Sequence, residues 1–256
     1  MLKDTNTRRN LLVSSFYLGA LLIVFLSLAN IVYAENTAET ISEKEVENYL
    51  TGKFNPAKHP AFVKVPERYA NRKGHYLRQE AFDAYKKMYE AARKENISLV
   101  IRSASRNFDY QKRIWNRKWK DKRNSIPDSK KRVLNILKYS SMPGTSRHHW
   151  GTEVDLNSFN NQWFTYGKGL KLFNWMTNNA HKYGFHRPYT AKNKDRLTGY
   201  NEEKWHWSYT PLSKLMLADA NGLITDDKIS GFSGSQHAKT LSIVKNYIFG
   251  IHPSCR

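Results

Sequence analysis

Two short segments of this 256-residue chain concentrate side chains able to do chemistry. They are Ser146-Arg147-His148-His149-Trp150-Gly151-Thr152-Glu153-Val154-Asp155-Leu156-Asn157 and Glu202-Glu203-Lys204-Trp205-His206-Trp207. Hydrolysis assisted by a metal ion needs three protein ligands, usually His and carboxylate, and a base beside the open position to take a proton from water. His148, Asp155 and His206 can supply such ligands, and Glu203 the base. Zinc in that setting lowers the pKa of water to about 7, so a poised carboxylate generates a nucleophile at neutral pH. Spacing alone does not choose between His148 and its neighbour His149, and most of the nine histidines are expected at the surface or in the core. The single cysteine, Cys255, excludes an internal disulfide and every cysteine-based zinc site, which leaves His and carboxylate to hold any transition metal.

Side chains so distant in sequence meet only if regular elements carry them together. Glu153 to Asn157 and Trp205 to Tyr209 alternate polar and apolar residues with period two, the pattern of half-buried strands. In such strands Glu153, Asp155 and Asn157 share one face, with Val154 and Leu156 opposite, and His206 projects away from Trp205 and Trp207. Glu203 falls on the other pleat of a straight strand, so it must sit at a bend or strand entrance to face the same ion. A helix is predicted from Glu80, carrying Phe82, Tyr85, Met88, Tyr89 and Ala92 at three-to-four spacing. Others are predicted over Asn107–Lys120 and Lys171–Lys182, the latter with Gly184 as a stop, and Ser98–Ser103 reads as a short strand. This irregular alternation, without phosphate-loop glycines, predicts an α+β fold rather than a doubly wound sheet.

Four regions follow. Basic residues, an apolar run from Leu11 to Tyr33 and Val32-Tyr33-Ala34 predict a signal peptide over 1–34 cut after Ala34, with an uncleaved membrane anchor as the alternative. Arg8-Arg9 adds a weak likeness to a twin-arginine export signal. Residues 35–60 read as a linker or N-terminal arm, 61–218 as the catalytic domain, and 219–256 as a helical extension with a docked helix over Gln236–Ile248. Localisation is therefore expected to be exported, in the periplasm or cell envelope. Lys and Arg number 42 against 22 Asp and Glu, a formal charge of +20 that suits attraction to anionic envelope components. Arg102 to Arg132 alone holds twelve Lys/Arg, interleaved with Trp115 and Trp119. The plainest reading there is a solvated helix face with its tryptophans inward, and no nucleic-acid motif is present.

The ordered pattern Ser-x-His-x-x-Gly-x-x-x-Asp, then Glu-x-Trp-His some fifty residues on, resembles the VanY-type D-alanyl-D-alanine carboxypeptidases. These belong with the lysostaphin-type and hedgehog domains in one zinc peptidase superfamily. Ser146, His148, Gly151 and Asp155 fill the first motif, and Glu203, Trp205 and His206 the second; this frame selects His148 over His149. Ile101-Arg102-Ser103-Ala104-Ser105-Arg106 with Gln111, Pro143-Gly144-Thr145, and Trp175 through Phe185 extend the likeness over roughly residues 80 to 215. The resemblance implies a small mixed, mainly antiparallel sheet with flanking helices, of hedgehog/DD-peptidase type. It implies a Zn2+ cofactor on His148, Asp155 and His206, with Glu203 as general acid/base and Arg106 stabilising the oxyanion. Ser146 and, more weakly, Gln111 would contact substrate, a peptidoglycan stem peptide losing its C-terminal D-Ala. A peptidoglycan endopeptidase or an inactive zinc-containing wall-binding module are the alternatives, and a monomer is expected. Ala104 and Ser105 depart from the family's usual Gly-Tyr. Glu153 stands where a small residue is usual, either orienting a ligand or Arg106, or facing solvent at the cleft rim.

Overall fold

The computed structural model describes residues 42–256. The leader, its cleavage position and the first residues of the 35–60 segment lie outside the described residues. Within them, no helix is long and apolar enough to cross a membrane. The organising element is a four-stranded antiparallel sheet in the order β3–β4–β6–β5. Its strands are β3 (Ile101–Ser103), β4 (Glu153–Leu156), β5 (Phe185–His186) and β6 (His206–Tyr209), while β1 (Phe62–Lys64) and β2 (Tyr76–Arg78) form a separate hairpin. Every ladder in the sheet is antiparallel. The only parallel contact among the described residues is an isolated bridge between Ala70 and Ile101, so the sheet is mainly antiparallel with flanking helices, as expected.

Two apolar clusters flank the sheet. In the first, Phe82, Tyr85 and Met88 of α2 (Gln79–Lys94) and Leu172 and Met176 of α5 (Gly167–Asn179) pack on Ile101, Val154, Leu156 and Trp207. The inward faces of β4 and β6 are thus the apolar halves of their alternating sequences, as strand geometry requires. The second cluster joins Trp115 of α3 (Phe108–Lys120), Ile136 of α4 (Ser129–Ile136) and Leu217 of α6 (Thr210–Leu223) to the C-terminal Ile243, Ile248 and Ile251. Each fully buried side chain of this size contributes about 1.5–3 kcal/mol.

Three predicted elements differ. Of the segment read as a linker or N-terminal arm, Glu43–Leu50 forms a helix, α1, not expected from the sequence, and Leu50 is buried in the second cluster. Its apolar positions Val46, Tyr49 and Leu50 recur at helical spacing, a period too short to stand out before a Pro-rich stretch. The strand predicted from Ser98 starts only at Ile101 because the Asn157 side chain takes over two backbone groups, accepting from Val100 N–H (3.1 Å) and donating to Ser98 C=O (2.8 Å). The helix expected over Gln236–Ile248 is broken: α7 spans Ala238–Leu241, Ser242 adopts a left-handed φ of 47°, and a wider turn covers Val244–Ile248. The Asp226 carboxylate accepts from the Val244 N–H at 2.8 Å, removing that amide from a continuous helix.

Candidate active site

The register of β4 on β6 sets Asp155 opposite His206 and Glu153 opposite Ser208. Directly paired residues of antiparallel strands project to the same side, so this pairing puts all four on the face away from Val154 and Trp207. His148 arrives from the tight turn Arg147–Trp150, which ends at Gly151 in a left-handed conformation (φ 74°). A Cβ at Gly151 would also run into the Phe62 ring, so the motif glycine is required twice over. Glu203 reaches the face from a bend: its N–H donates to Tyr189 C=O at 2.9 Å, and its own carbonyl accepts from the His206 N–H at 3.3 Å. The strand entrance expected from the sequence is therefore where Glu203 stands.

His148, Asp155 and His206 converge, each offering one ligand atom within 4.8 Å of the others, and all three are buried. His148 Nε2 lies 3.3 Å from Asp155 Oδ2, and His206 Nδ1 lies 3.0 Å from Asp155 Oδ1. Ligands about 2.0–2.1 Å from a tetrahedral zinc stand roughly 3.4 Å apart, so these separations suit one ion. His148 Nε2 and Asp155 Oδ1 are buried and make no well-directed hydrogen bond, only these close contacts within the cluster, a donor set that a cation would complete. The far nitrogen of each ring is anchored. His148 Nδ1 is 2.8 Å from the Ala104 carbonyl, and His206 Nε2 is 2.8 Å from Glu153 Oε2. Such anchors fix which nitrogen faces the metal.

Glu153 is wholly buried rather than at a solvent-facing rim. Ser208 Oγ donates to its Oε1 at 2.6 Å, Thr152 Oγ1 at 3.1 Å, and Arg147 Nη2 lies 3.2 Å away. Burial by itself would raise this carboxyl, but Arg147 and His206 outweigh it and hold the group at about 2. Burial opposes charge on His206 too, yet Asp155 and Glu153 lift the imidazole to about 9. A metal taken up at Nδ1 therefore displaces a proton. Glu203, with Oε2 3.6 Å from His206 Nδ1, is pushed up to about 8 by burial, with Asp155 adding to it against His206 and Arg106.

His149 is excluded as a ligand by its own hydrogen bonds. Its Nδ1–H donates to the Arg106 carbonyl at 2.6 Å and its Nε2 accepts from Gly144 N–H at 3.2 Å. Burial keeps it neutral, down at about 3. The ring is thus a strut holding the Arg106 loop. Arg106 and Ser146 both line the cleft above the histidines, and Arg106 Nε and Ser146 Oγ are buried without partners. Gln111 does not itself line the cleft: it is 1% exposed, its Nε2 donates at 2.8 Å to the carbonyl of the lining residue Ser141, and its Oε1 is buried without a partner. The cleft has a volume of about 760 Å³ and is walled further by Tyr110, Tyr139, Phe159 and Tyr189. Arg147 and Ser208 carried no signal in the sequence, whereas Glu153 did, through its two-residue spacing from Asp155.

Two ligand candidates on the antiparallel sheet and one on the turn before it, with a carboxylate and the Arg106 side chain beside them, make a donor set suited to a catalytic zinc. The family model for VanY, D-alanyl-D-alanine carboxypeptidase, matches residues 74–212, and the chain belongs to that family. It is 32% identical over 161 residues to the "Putative carboxypeptidase YodJ" of Bacillus subtilis, covering 59% of this chain and 53% of that protein. It is 24% identical over 143 residues to a D-alanyl-D-alanine carboxypeptidase of Enterococcus faecalis, covering 56% and 52% respectively. The chain thus spans about half the length of the curated relatives it matches. Among solved structures it is similar to VanYB in complex with D-alanine-D-alanine, with 20% identity, a TM-score of 0.49, and coverage of 72% of this chain and 92% of the other.

Proposed function

We propose that the protein is an exported zinc-dependent D-alanyl-D-alanine carboxypeptidase that removes the C-terminal D-Ala of peptidoglycan stem peptides. The observation that carries this reading is the Glu203 carboxylate standing beside the buried His148–Asp155–His206 cluster on the floor of a cleft wide enough for a peptide. His148 Nε2, one Asp155 oxygen and His206 Nδ1 would hold the ion. Zinc at such a site polarises a carbonyl and makes water a nucleophile near neutral pH.

The chain's own groups do the rest. Glu203 takes the proton of the attacking water and returns it to the leaving amine, a task suited to a carboxyl lifted toward neutrality. Arg106, whose Nε lacks a protein partner, faces the developing oxyanion; a fixed donor in this role is worth about 3–4 kcal/mol. Ser146 Oγ, equally unpartnered, is free to hydrogen-bond the substrate backbone or its terminal carboxylate. Gln111 is held by its Nε2 on the Ser141 carbonyl, while its Oε1 is buried without a partner.

The test is incubation of zinc-loaded protein with muropeptides ending in D-Ala-D-Ala and with tetrapeptides ending in one D-Ala, read by mass spectrometry with and without chelator. Chelator-sensitive loss of one alanine from the first substrate alone is expected. Loss from the tetrapeptide would mean an L,D-bond, and an internal cut would mean an endopeptidase. Glu203→Ala should abolish turnover while zinc stays bound at one per chain. An active Glu203→Ala enzyme would overturn the assigned mechanism.

A further inference from the structure

The family match ends at residue 212, yet the chain beyond it reaches back to the loop that carries Glu203. His252 N–H donates to the Pro188 carbonyl at 2.9 Å, and the next carbonyl along, that of Tyr189, accepts from the Glu203 N–H at 2.9 Å. The tail and Glu203 are thus bonded to consecutive residues of one loop. A Cβ on Gly199, whose φ is 88°, would run into the Gly250 carbonyl, so loop and tail touch backbone to backbone there. The Tyr247 ring lies 5.1 Å from Tyr200, Tyr200 lies 5.0 Å from Tyr189, and Tyr189 lies 4.7 Å from the His206 ring. A row of four rings at ordinary aromatic spacing therefore runs from the tail to a metal-ligand candidate.

The tail is itself firmly fixed. Ile248, Ile251 and Cys255 are buried in the second cluster, and Arg256 donates from Nε and Nη2 to the Ile251 carbonyl at 3.1 and 2.8 Å. Its path is not the locally favoured one. Ser242 takes a left-handed φ despite its Cβ, and the wide turn Val244–Ile248 replaces an ordinary helical turn. The chain accepts both features, and the path they begin ends on the loop. Among the described residues, none after His206 lines the cleft, so the tail can act on the chemistry only through that loop.

We propose that Tyr247, Gly250 and His252 are positioning residues, which hold the loop from Arg187 to Trp205 against the sheet and so set where the Glu203 carboxylate stands. This rests on the peptidase reading for what Glu203 does, and it adds the C-terminal segment to the parts that reading needs. The physical basis is that a loop without long regular elements keeps its place only through contacts from outside, and a small displacement of a reacting group is expensive in rate.

Three variants of the zinc-loaded full chain test the idea. Tyr247→Leu removes the ring but keeps an apolar side chain, Tyr247→Phe keeps the ring, and Gly250→Ala pushes a Cβ against Asn246 and Thr198. Amide hydrogen exchange is followed along the chain, and kcat and KM are measured on the muropeptide ending in D-Ala-D-Ala. In Tyr247→Leu and Gly250→Ala, exchange over residues 189–203 should rise about tenfold while the amides of β4 and β6 stay as protected as in the parent. Their kcat should fall about tenfold or more, as follows from moving a reacting group by roughly 1 Å, with KM and zinc content little changed. Tyr247→Phe should behave as the parent. Unchanged loop exchange in both variants, or exchange raised equally throughout the chain, would overturn the proposal, because the tail would then supply stability alone. Raised loop exchange with the parent's kcat would overturn it too. A parent that cleaves no peptide removes the peptidase reading, and the exchange pattern by itself then decides whether the tail holds the loop.

Discussion

At the scale of single residues, the His148–Asp155–His206 cluster is held by buried polar groups packed around it. Glu153 accepts from His206 Nε2 and is itself balanced by Arg147, so the ring is presented with Nδ1 toward Asp155. Removing a partner of this type usually costs about 10–100-fold in metal affinity. Glu153→Ala should therefore weaken zinc in competition with a chromophoric chelator by that factor, with Glu153→Gln intermediate because it keeps an acceptor. Unchanged affinity in Glu153→Ala would mean the sheet alone orients His206. The two adjacent histidines separate cleanly. His148→Ala should lower zinc content, whereas His149→Ala should keep zinc and cost about 1–3 kcal/mol in denaturant unfolding, since it strands the Gly144 N–H and the Arg106 carbonyl. The reverse outcome would reassign the ligand.

At the scale of elements, the site depends on one register and one loop. Slipping β6 by a single residue against β4 would turn His206 toward the core and bring Trp207 to the metal face. The segment entering β6, from Arg187 to Trp205, contains no regular element longer than a turn, yet it delivers Tyr189, Tyr200 and Glu203 to the cleft. Arg196 is its internal clamp. Buried and 1% exposed, its guanidinium donates to the carbonyls of Thr190, Thr198 and Tyr200. Arg196→Met should leave these carbonyls unpaired, lowering stability by about 2–4 kcal/mol and cutting kcat through a displaced Glu203, while zinc content is retained. A variant as active as the parent would show that the loop is set by its tyrosines instead.

At the scale of the whole described body, the second apolar cluster is completed from both ends of the sequence. Leu50 of α1 and Ile243, Ile248, Ile251 and Cys255 of the tail pack with helices from the middle of the chain. Trp115 Nε1 donates to Ser233 C=O at 2.8 Å across 118 residues. The C-terminal segment is consequently docked on the body through buried side chains. Deleting residues 230–256 should remove several buried side chains at about 1.5–3 kcal/mol each, more than the usual stability margin of a domain. The truncated chain is expected to lose its cooperative thermal transition, and a retained transition would make the tail a separable module.

The sequence by itself determined which residues are candidates for the site and most of the elements that carry them. Residue type and two-residue alternation were enough to place Asp155 and His206 on metal-facing strands, because a pleat has only two sides. Apolar spacing was enough to place α2, α3 and α5, because a helix buries one face. Only the tertiary structure decided the rest, since each remaining question concerned groups far apart in the chain. The motif frame singled out His148, but the reason His149 is occupied elsewhere, hydrogen bonds to Arg106 and Gly144 while His148 is anchored on Ala104, lay in the tertiary structure. Whether Glu153 met water or His206 depended on the register with β6, and the burial of Gln111 against Ser141 depended on a loop thirty residues away. Local periodicity carries the pattern of burial along a chain; it carries no record of which distant polar atom will satisfy a buried one.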